Sequence, residues 1–265
     1  MADQQKYLNK LQGDRVLIIG GSKGIGYAVA EALVEHGCNV TVTGSSQSSI
    51  EAALAKLHAA YPSAKSRVTA SALALGDEST IESNIKHFFN EISKSGKLDH
   101  IVFTAGDALP LMPLQDVTFA AAKQGGLVRF FGPLLVAKYA APHFNPGPKS
   151  SLTFTTGTSA DRPPSAGWSI AAGWLAGVHG LARSLALELK PVRVNCVSSG
   201  SIDTPLWDSV LPAEAKAQVF AEMGTKRITG TIGRPEDLAQ TYLGILQDWN
   251  MAGSIVQSNA GAHLM

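Results

Sequence analysis

Three glycines spaced G-x-x-x-G-x-G, at Gly20, Gly24 and Gly26, follow the apolar run Val16-Leu17-Ile18-Ile19 and precede Tyr27-Ala28-Val29-Ala30-Glu31-Ala32-Leu33. Four β-prone apolar residues in a row suit a strand buried on both faces. The apolar positions after Gly24 (Ile25, Ala28, Val29, Ala32, Leu33) recur at helical spacing. A glycine turn between such elements can hold a diphosphate. It lets the backbone approach closely, and the first free N–H groups of the helix supply donors and a partial positive charge. A glycine pattern alone also fits a tight βα turn that binds nothing. Its place between strand and helix, near the N-terminus, favours a nucleotide.

The elements that must position this turn follow from the rest of the chain. With 265 residues, 45% of them hydrophobic, the sequence can bury a large core and reads as one domain, residues 1–265. A formal charge of +1 and the lack of a Lys/Arg run argue against nucleic acid and a membrane surface, and for a small-molecule partner. Met1 to Asn9 is polar, without a signal-peptide core, and no run approaches the roughly 18 apolar residues of a membrane span. The expectation is a cytoplasmic protein. Cys38 and Cys196, the only cysteines, each lie in an apolar β-like run. They read as buried thiols rather than as a disulfide or metal site.

Strand-like and helix-like segments alternate. Strands are predicted at 39–44, 67–75, 98–106, 151–156, 192–197 and 254–257. Helices are predicted at 49–58, 79–93, 119–141, 168–189 and 235–247. Strands separated by helices of this length imply right-handed βαβ crossovers. The predicted fold class is α/β, a doubly wound parallel sheet of about seven strands with helices on both faces.

The sequence resembles the short-chain dehydrogenases/reductases over essentially its whole length. The marks come in order: the Gly20/Gly24/Gly26 turn; Phe103-Thr104-Ala105-Gly106 where the family has Asn-Asn-Ala-Gly; and Leu181-Ala182-Arg183-Ser184-Leu185-Ala186-Leu187-Glu188-Leu189. They continue with Val192-Arg193-Val194-Asn195, Ser199-Gly200-Ser201-Ile202-Asp203-Thr204, Gly233-Arg234-Pro235-Glu236-Asp237 and Ser258-Asn259-Ala260-Gly261. The resemblance implies a Rossmann-type sheet. It places a dinucleotide against Gly20, Ser22, Lys23, Gly24, Ile25, Gly26, Ala105, Gly106, Gly200, Ile202 and Thr204. It also implies a homodimer or homotetramer, since helices like 119–141 and 168–189 pair between subunits in this family.

Charge selects the dinucleotide. Enzymes that use NAD place an acid at the end of the second strand, where it accepts from the ribose and repels a 2′-phosphate. Here that place reads Gly44-Ser45-Ser46, and Lys23 stands in the glycine turn to face a phosphate. Ser45, Ser46 and Lys23 therefore point to NADP(H). Ala74 stands where the resemblance predicts an Asp contacting adenine.

The family's catalytic residues are changed. A Tyr and a Lys four residues apart share one helix face, where the Lys lowers the Tyr pKa and the Tyr moves a proton. The matching positions are Ala171 and Leu175, which carry no proton, and no Lys lies between Lys149 and Lys190. The family's Ser falls on Thr156, or on Gly157 with a slip of one, and its Asn on Arg129. Candidate catalytic residues are Arg129, Thr156, Asp161 and Trp168. Arg129 reads either as an anchor for substrate or as half of a salt bridge in the helix pair. Phe103, Phe130, Trp168 and Trp207 read as an aromatic pocket for a flat, bulky substrate. His179, deeper in the helix, reads as packing or interface.

Three functions fit these residues. One is an NADP(H)-dependent reductase of an imine or iminium, where C=N⁺ already carries the charge that Tyr supplies to a carbonyl. Another is a non-redox cyclase or isomerase, with the nucleotide structural and the pocket folding a reactive substrate. The last is a nucleotide sensor. The sequence is also similar to fungal short-chain reductases of secondary metabolism that lack the Tyr/Lys pair, some acting in alkaloid biosynthesis as imine reductases and Diels–Alderases.

Overall fold

The computed structural model describes residues 6–209 and 211–265. Seven strands form one parallel sheet: β1 (Arg15–Ile19), β2 (Asn39–Gly44), β3 (Val68–Ala72), β4 (His100–Phe103), β5 (Ser151–Gly157), β6 (Arg193–Ser199) and β7 (Ile255–Ser258), in the order β3-β2-β1-β4-β5-β6-β7. The helices between them are α1 (Gly24–Glu35), α2 (Gln47–Ala60), α3 (Ile81–Ile92), α4 (Phe119–Gly126), α5 (Gly132–Ala140), α6 (Ser169–Glu188), α7 (Ala213–Thr225) and α8 (Pro235–Gln247).

The unbroken apolar run of β1 is explained by what lies on each side. Val16 and Ile18 enter a core with Val29 and Leu33 of α1 and Tyr242 and Leu246 of α8. Leu17 and Ile19 enter the opposite core with Phe89 of α3, Val136 of α5 and Val178 of α6. A strand flanked by two cores has no face left for polar residues. In register, Ile18 stands beside Val42 of β2 and Val102 of β4. The chain winds outward one way through β2 and β3, then returns to β4 and winds the other way. The crevice at the carboxyl ends of β1 and β4 is where such a sheet receives a ligand.

Departures from the sequence expectations have local causes. The predicted helix 119–141 is broken by a π turn at Leu127–Phe131, between α4 and α5. Pro133, at the start of α5, has no N–H to give the preceding turn, and its ring crowds the carbonyl four residues back. The predicted strand 98–106 stops at Phe103, so Thr104 to Gly106 leave the ladder and bend over the glycine turn. Helix α7 lies in a stretch with no expected element.

Helix α6 is long and apolar enough by length and composition to cross a membrane, contrary to the expectation that no run comes near a span. Here it packs on the sheet, with Val178 and Ala182 fully buried. Cys38 and Cys196 are free and buried, and burial pushes the Cys38 thiol up to about 12.

At the amino ends of the strands lies a buried polar node. His100 Nδ1 is 2.8 Å from Ser151 Oγ and its Nε2 is 3.3 Å from Asp14 Oδ2, while Lys149 reaches Asp14 Oδ1. The imidazole is fully buried, at the far end of the sheet from the glycine turn, and burial holds its pKa below the ordinary 6.5 despite Asp14. Asp14 and Ser151 satisfy both ring nitrogens, which makes the node a structural one.

Candidate active site

The glycine turn is built by close backbone approach. Gly20 (φ 88°) and Gly24 (φ 53°) occupy the left-handed region that glycine reaches without strain. A Cβ on Gly26 would stand 2.3 Å from Thr104 Oγ1 and 2.4 Å from the Gly20 carbonyl oxygen. Thr104 Oγ1 donates toward the carbonyl oxygens of Ile19 and Gly20, at 3.2 Å each. The end of β4 is thereby stapled to the turn, a role that sequence alone did not assign to Thr104. Ala105 follows, its N–H nitrogen 2.5 Å from where a Cβ on Gly20 would be.

The other residues expected from the sequence to hold a dinucleotide surround this point. Thr204 Cβ lies 3.1 Å from the Cβ position of Gly24, bringing the segment after β6 onto the turn. Gly200 packs against the Asn259 backbone, and buried Ile202 bridges to Gly233. At the end of β2, Ser22 Oγ lies 2.9 Å from the Cβ position of Gly44, with Ser45 and Lys23 exposed nearby in the chain. Ser46 is engaged in the backbone instead, where its hydroxyl accepts from the Ser49 N–H at 3.3 Å and caps α2. A bare backbone cradle with the Ser22 hydroxyl at the end of β2 and the exposed Lys23 next to it in the chain fits a dinucleotide bearing a further phosphate.

The helix face on which the sequence resemblance expects a Tyr/Lys relay is closed. Ala171 is 1% exposed and Leu175 5% exposed. Thr156 Oγ1 donates to the Leu175 carbonyl oxygen at 3.0 Å and is buried, so the hydroxyl ties β5 to α6 and does not face a substrate. Asp161 turns toward β7, where Gln257 Nε2 donates to it at 3.2 Å and His179 Nδ1 lies 3.6 Å away. Desolvation lowers the His179 pKa, with Asp161 opposing.

Two of the four expected pocket aromatics belong elsewhere. Phe103, 2% exposed, shares the side of β4 that meets α3 and α5 and packs edge-on against Phe154, 6.5 Å between centroids. Phe130 stacks on Trp174 at 4.9 Å and on the bare face of Gly177, within the contact between the π turn and α6. Phe103 is a packing residue, because strand alternation points it into the core, and the half-buried Phe130 is taken up by the contact with Trp174 and Gly177 of α6.

Trp168, at the start of α6, and Trp207, in a short 3₁₀ helix at Pro205–Ser209, remain half-buried. Trp168 opens α6, and the preceding Gly167 carbonyl accepts from the Met112 N–H at 3.1 Å, which joins the loop after β4 to the loop after β5. Trp207 Nε1 donates to the Ile202 carbonyl oxygen at 2.8 Å and packs edge-on against Phe220 of α7. Lys216 of α7 pairs with Asp203 and Asp208, at 3.0 Å each, fastening α7 over the segment that contains Thr204.

Arg129, set by the π turn, has a definite partner. Its Nε lies 3.2 Å from Asp107 Oδ1 and its Nη2 donates to the Asp107 carbonyl oxygen. Of the two readings open in the sequence, the structure has the salt bridge, made to the loop after β4 rather than within the helix pair. Sequence reading missed Asp107, since a single loop acid has no periodicity to mark it. The Gly106 between Ala105 and this acid was the available signal, because a guanidinium can only rest there on a residue without a side chain.

A doubly wound sheet whose glycine turn closes on β4 and on the segment after β6 defines a Rossmann-type nucleotide-binding protein. Residues 7–265 match the SDR-like Rossmann domain family, and the chain belongs to the short-chain dehydrogenases/reductases. It is 41% identical to the short-chain dehydrogenase/reductase fsr5 of Gibberella fujikuroi over all of both chains. It is 37% identical to malC of Malbranchea aurantiaca over 98% of each. Among solved structures, the MalC reductase/Diels–Alderase of Malbranchea aurantiaca superimposes with a TM-score of 0.91 at 36% identity, over 98% of this chain and 100% of that one. A Burkholderia cenocepacia short-chain dehydrogenase in complex with NADP gives 0.80 at 27% identity, over 96% and 100%.

Proposed function

We propose that this chain is an NADP(H)-dependent reductase of a bulky apolar or aromatic substrate that presents a C=N bond, acting in secondary metabolism. The observation that carries the reading is the pairing of an intact glycine turn with Ala171 and Leu175, buried where a proton relay would stand. Gly20, Gly24 and Gly26 would hold the diphosphate, and Lys23 and Ser45 the 2′-phosphate. When bound, NADPH supplies hydride. A carbonyl oxygen must gain a proton as hydride arrives, and a placed general acid contributes about 10²–10⁴-fold to such steps. An iminium nitrogen needs none, so loss of the Tyr/Lys pair costs its reduction little.

A non-redox cyclase is the second reading, favoured by the reductase/Diels–Alderase activity of the MalC neighbour. In it, Trp168 and Trp207 would hold the substrate in its reactive shape. Anaerobic single-turnover mixing with NADPH and a panel of cyclic imines and ketones, read by nicotinamide absorbance, separates the readings. Imines are expected to be reduced, and ketones at least about a hundredfold more slowly. Product formed with the nicotinamide unchanged makes the chain a cyclase, and tight NADPH binding with no turnover makes it a sensor. We also propose a homodimer or homotetramer, which sedimentation equilibrium would reveal; a monomer at micromolar concentration overturns it.

A further inference from the structure

Beside the glycine turn lies an ion pair with unequal exposure. The Arg129 side chain is 14% exposed and that of Asp107 36%. The guanidinium rests on Gly106, with Nη1 2.9 Å from where a Cβ there would stand, so any other residue would push it off. Gly106 follows Ala105, whose backbone abuts Gly20, which puts the pair at the carboxyl end of β4, on the β1/β4 crevice. Arg129 Nε and Asp107 Oδ1 are shielded from water and face each other at 3.2 Å without an aligned hydrogen bond, so the contact is coulombic. A buried cation therefore holds one carboxylate whose outer side stays accessible. Desolvation raises the Asp107 carboxyl above its ordinary range, with Arg129 partly opposing.

We propose that Asp107 binds the nitrogen of the substrate's C=N bond and gives it a proton, with Arg129 as the positioning residue that holds the carboxyl at the crevice. This rests on the C=N reading above. Of the other candidates, Thr156 donates to Leu175, Ala171 and Leu175 carry no proton, and Asp161, 41% exposed, is turned toward Gln257 of β7 and His179 rather than toward the β1/β4 crevice. The chemistry favours nitrogen over oxygen, because an imine nitrogen is basic enough to take a proton from a carboxylic acid and a carbonyl oxygen is not. In the balanced step the Asp107 O–H bond breaks and an N–H bond forms. Hydride from NADPH makes the new C–H bond, leaving NADP⁺ and the amine, and water reprotonates the accessible carboxylate. With a neutral imine Asp107 acts as acid; with a permanently charged iminium it is only the counter-ion.

The test compares wild type, Asp107→Asn and Asp107→Glu on a neutral cyclic imine and on its N-methyl iminium salt. For Asp107→Asn, kcat on the imine is expected to fall about a hundredfold, while kcat on the iminium salt stays within about threefold and NADPH affinity is unchanged. Asp107→Glu should recover most of the imine rate. A second measurement needs no cofactor: tryptophan fluorescence of the apo protein titrated with the saturated cyclic ammonium ion. Its affinity should drop about tenfold in Asp107→Asn, the scale of one lost charge-assisted hydrogen bond. Equal loss on both substrates, no loss on either, or unchanged ammonium affinity overturns the assignment. If wild type reduces neither substrate, the reductase reading fails, and the ammonium titration still decides whether Asp107 is a nitrogen site.

Discussion

Thr104 shows how one side chain sets what its neighbours are allowed to be. Its hydroxyl fills the space above Gly26 and holds the Ile19 and Gly20 carbonyls, so Gly26→Ala must displace either the hydroxyl or backbone. NADPH affinity in Gly26→Ala, read by nicotinamide fluorescence, is expected to fall at least about tenfold, or ~1.4 kcal/mol. Adding Thr104→Ala should return only part of it, because the Gly20 carbonyl oxygen still stands 2.4 Å from the new Cβ. The β2 corner gives a second test. Ser45→Asp places a negative charge near Ser22 and Lys23, and should weaken NADPH by about tenfold while sparing NADH. At this scale the glycines of the turn were readable, since the close approaches at Gly20 and Gly26 admit no side chain, whereas the hydroxyls of Thr104, Thr156 and Ser46 were not, since a hydroxyl can serve backbone, cap or ligand alike. It did not reveal side-chain direction: Phe103 and Phe130 are aromatic in either a pocket or a core. Asp107 is a bare loop acid until the fold brings Arg129 to it.

Among the elements, α7 and the π turn were the least legible, for opposite reasons. The apolar periodicity of 119–141 is real, and an inserted wide turn shifts it by too little to be seen; Pro133 was the one local warning. Helix α7 carries a weak pattern because it buries little and is held instead by Lys216 and by the Trp207–Phe220 contact. Lys216→Ala is therefore expected to raise KM for substrate severalfold with little change in melting temperature, since exposed ion pairs add little to global stability. A large fall in melting temperature would show that α7 is part of the core rather than a cover. The central strands were legible by position, because burial on both faces leaves an apolar run, though the expected 67–75 and 98–106 overran β3 and β4, whose ladders end at Ala72 and Phe103.

For the molecule as a whole, pH acts on stability through the node under the sheet. His100 stays neutral in the fold because burial lowers its pKa, whereas in the unfolded chain it takes a proton near pH 6.5. The unfolded state thus binds more protons below that pH. The stability His100 contributes is complete above about pH 6.5 and is lost as pH falls toward its lower folded value. Chemical denaturation of wild type and His100→Gln from pH 7.5 to 5.5 isolates this: the wild-type curve should fall more steeply, by up to one proton's linkage. Parallel curves would mean that the imidazole is charged in the fold. The doubly wound sheet could be read in advance from the order of its elements, whereas the node could not, since Asp14, His100, Lys149 and Ser151 are scattered in sequence.

The packing around Ala171 and Leu175 also limits what these positions can accept. With both positions sealed and the Leu175 carbonyl engaged by Thr156, introducing Ala171→Tyr and Leu175→Lys together overfills a closed interface and buries a cation without a partner. Such a double substitution should lower the melting temperature and yield no ketone reductase. A buried face on α6 that cannot take a tyrosine or a lysine leaves only the loops after β4 and β5 to present polar groups to this end of the sheet.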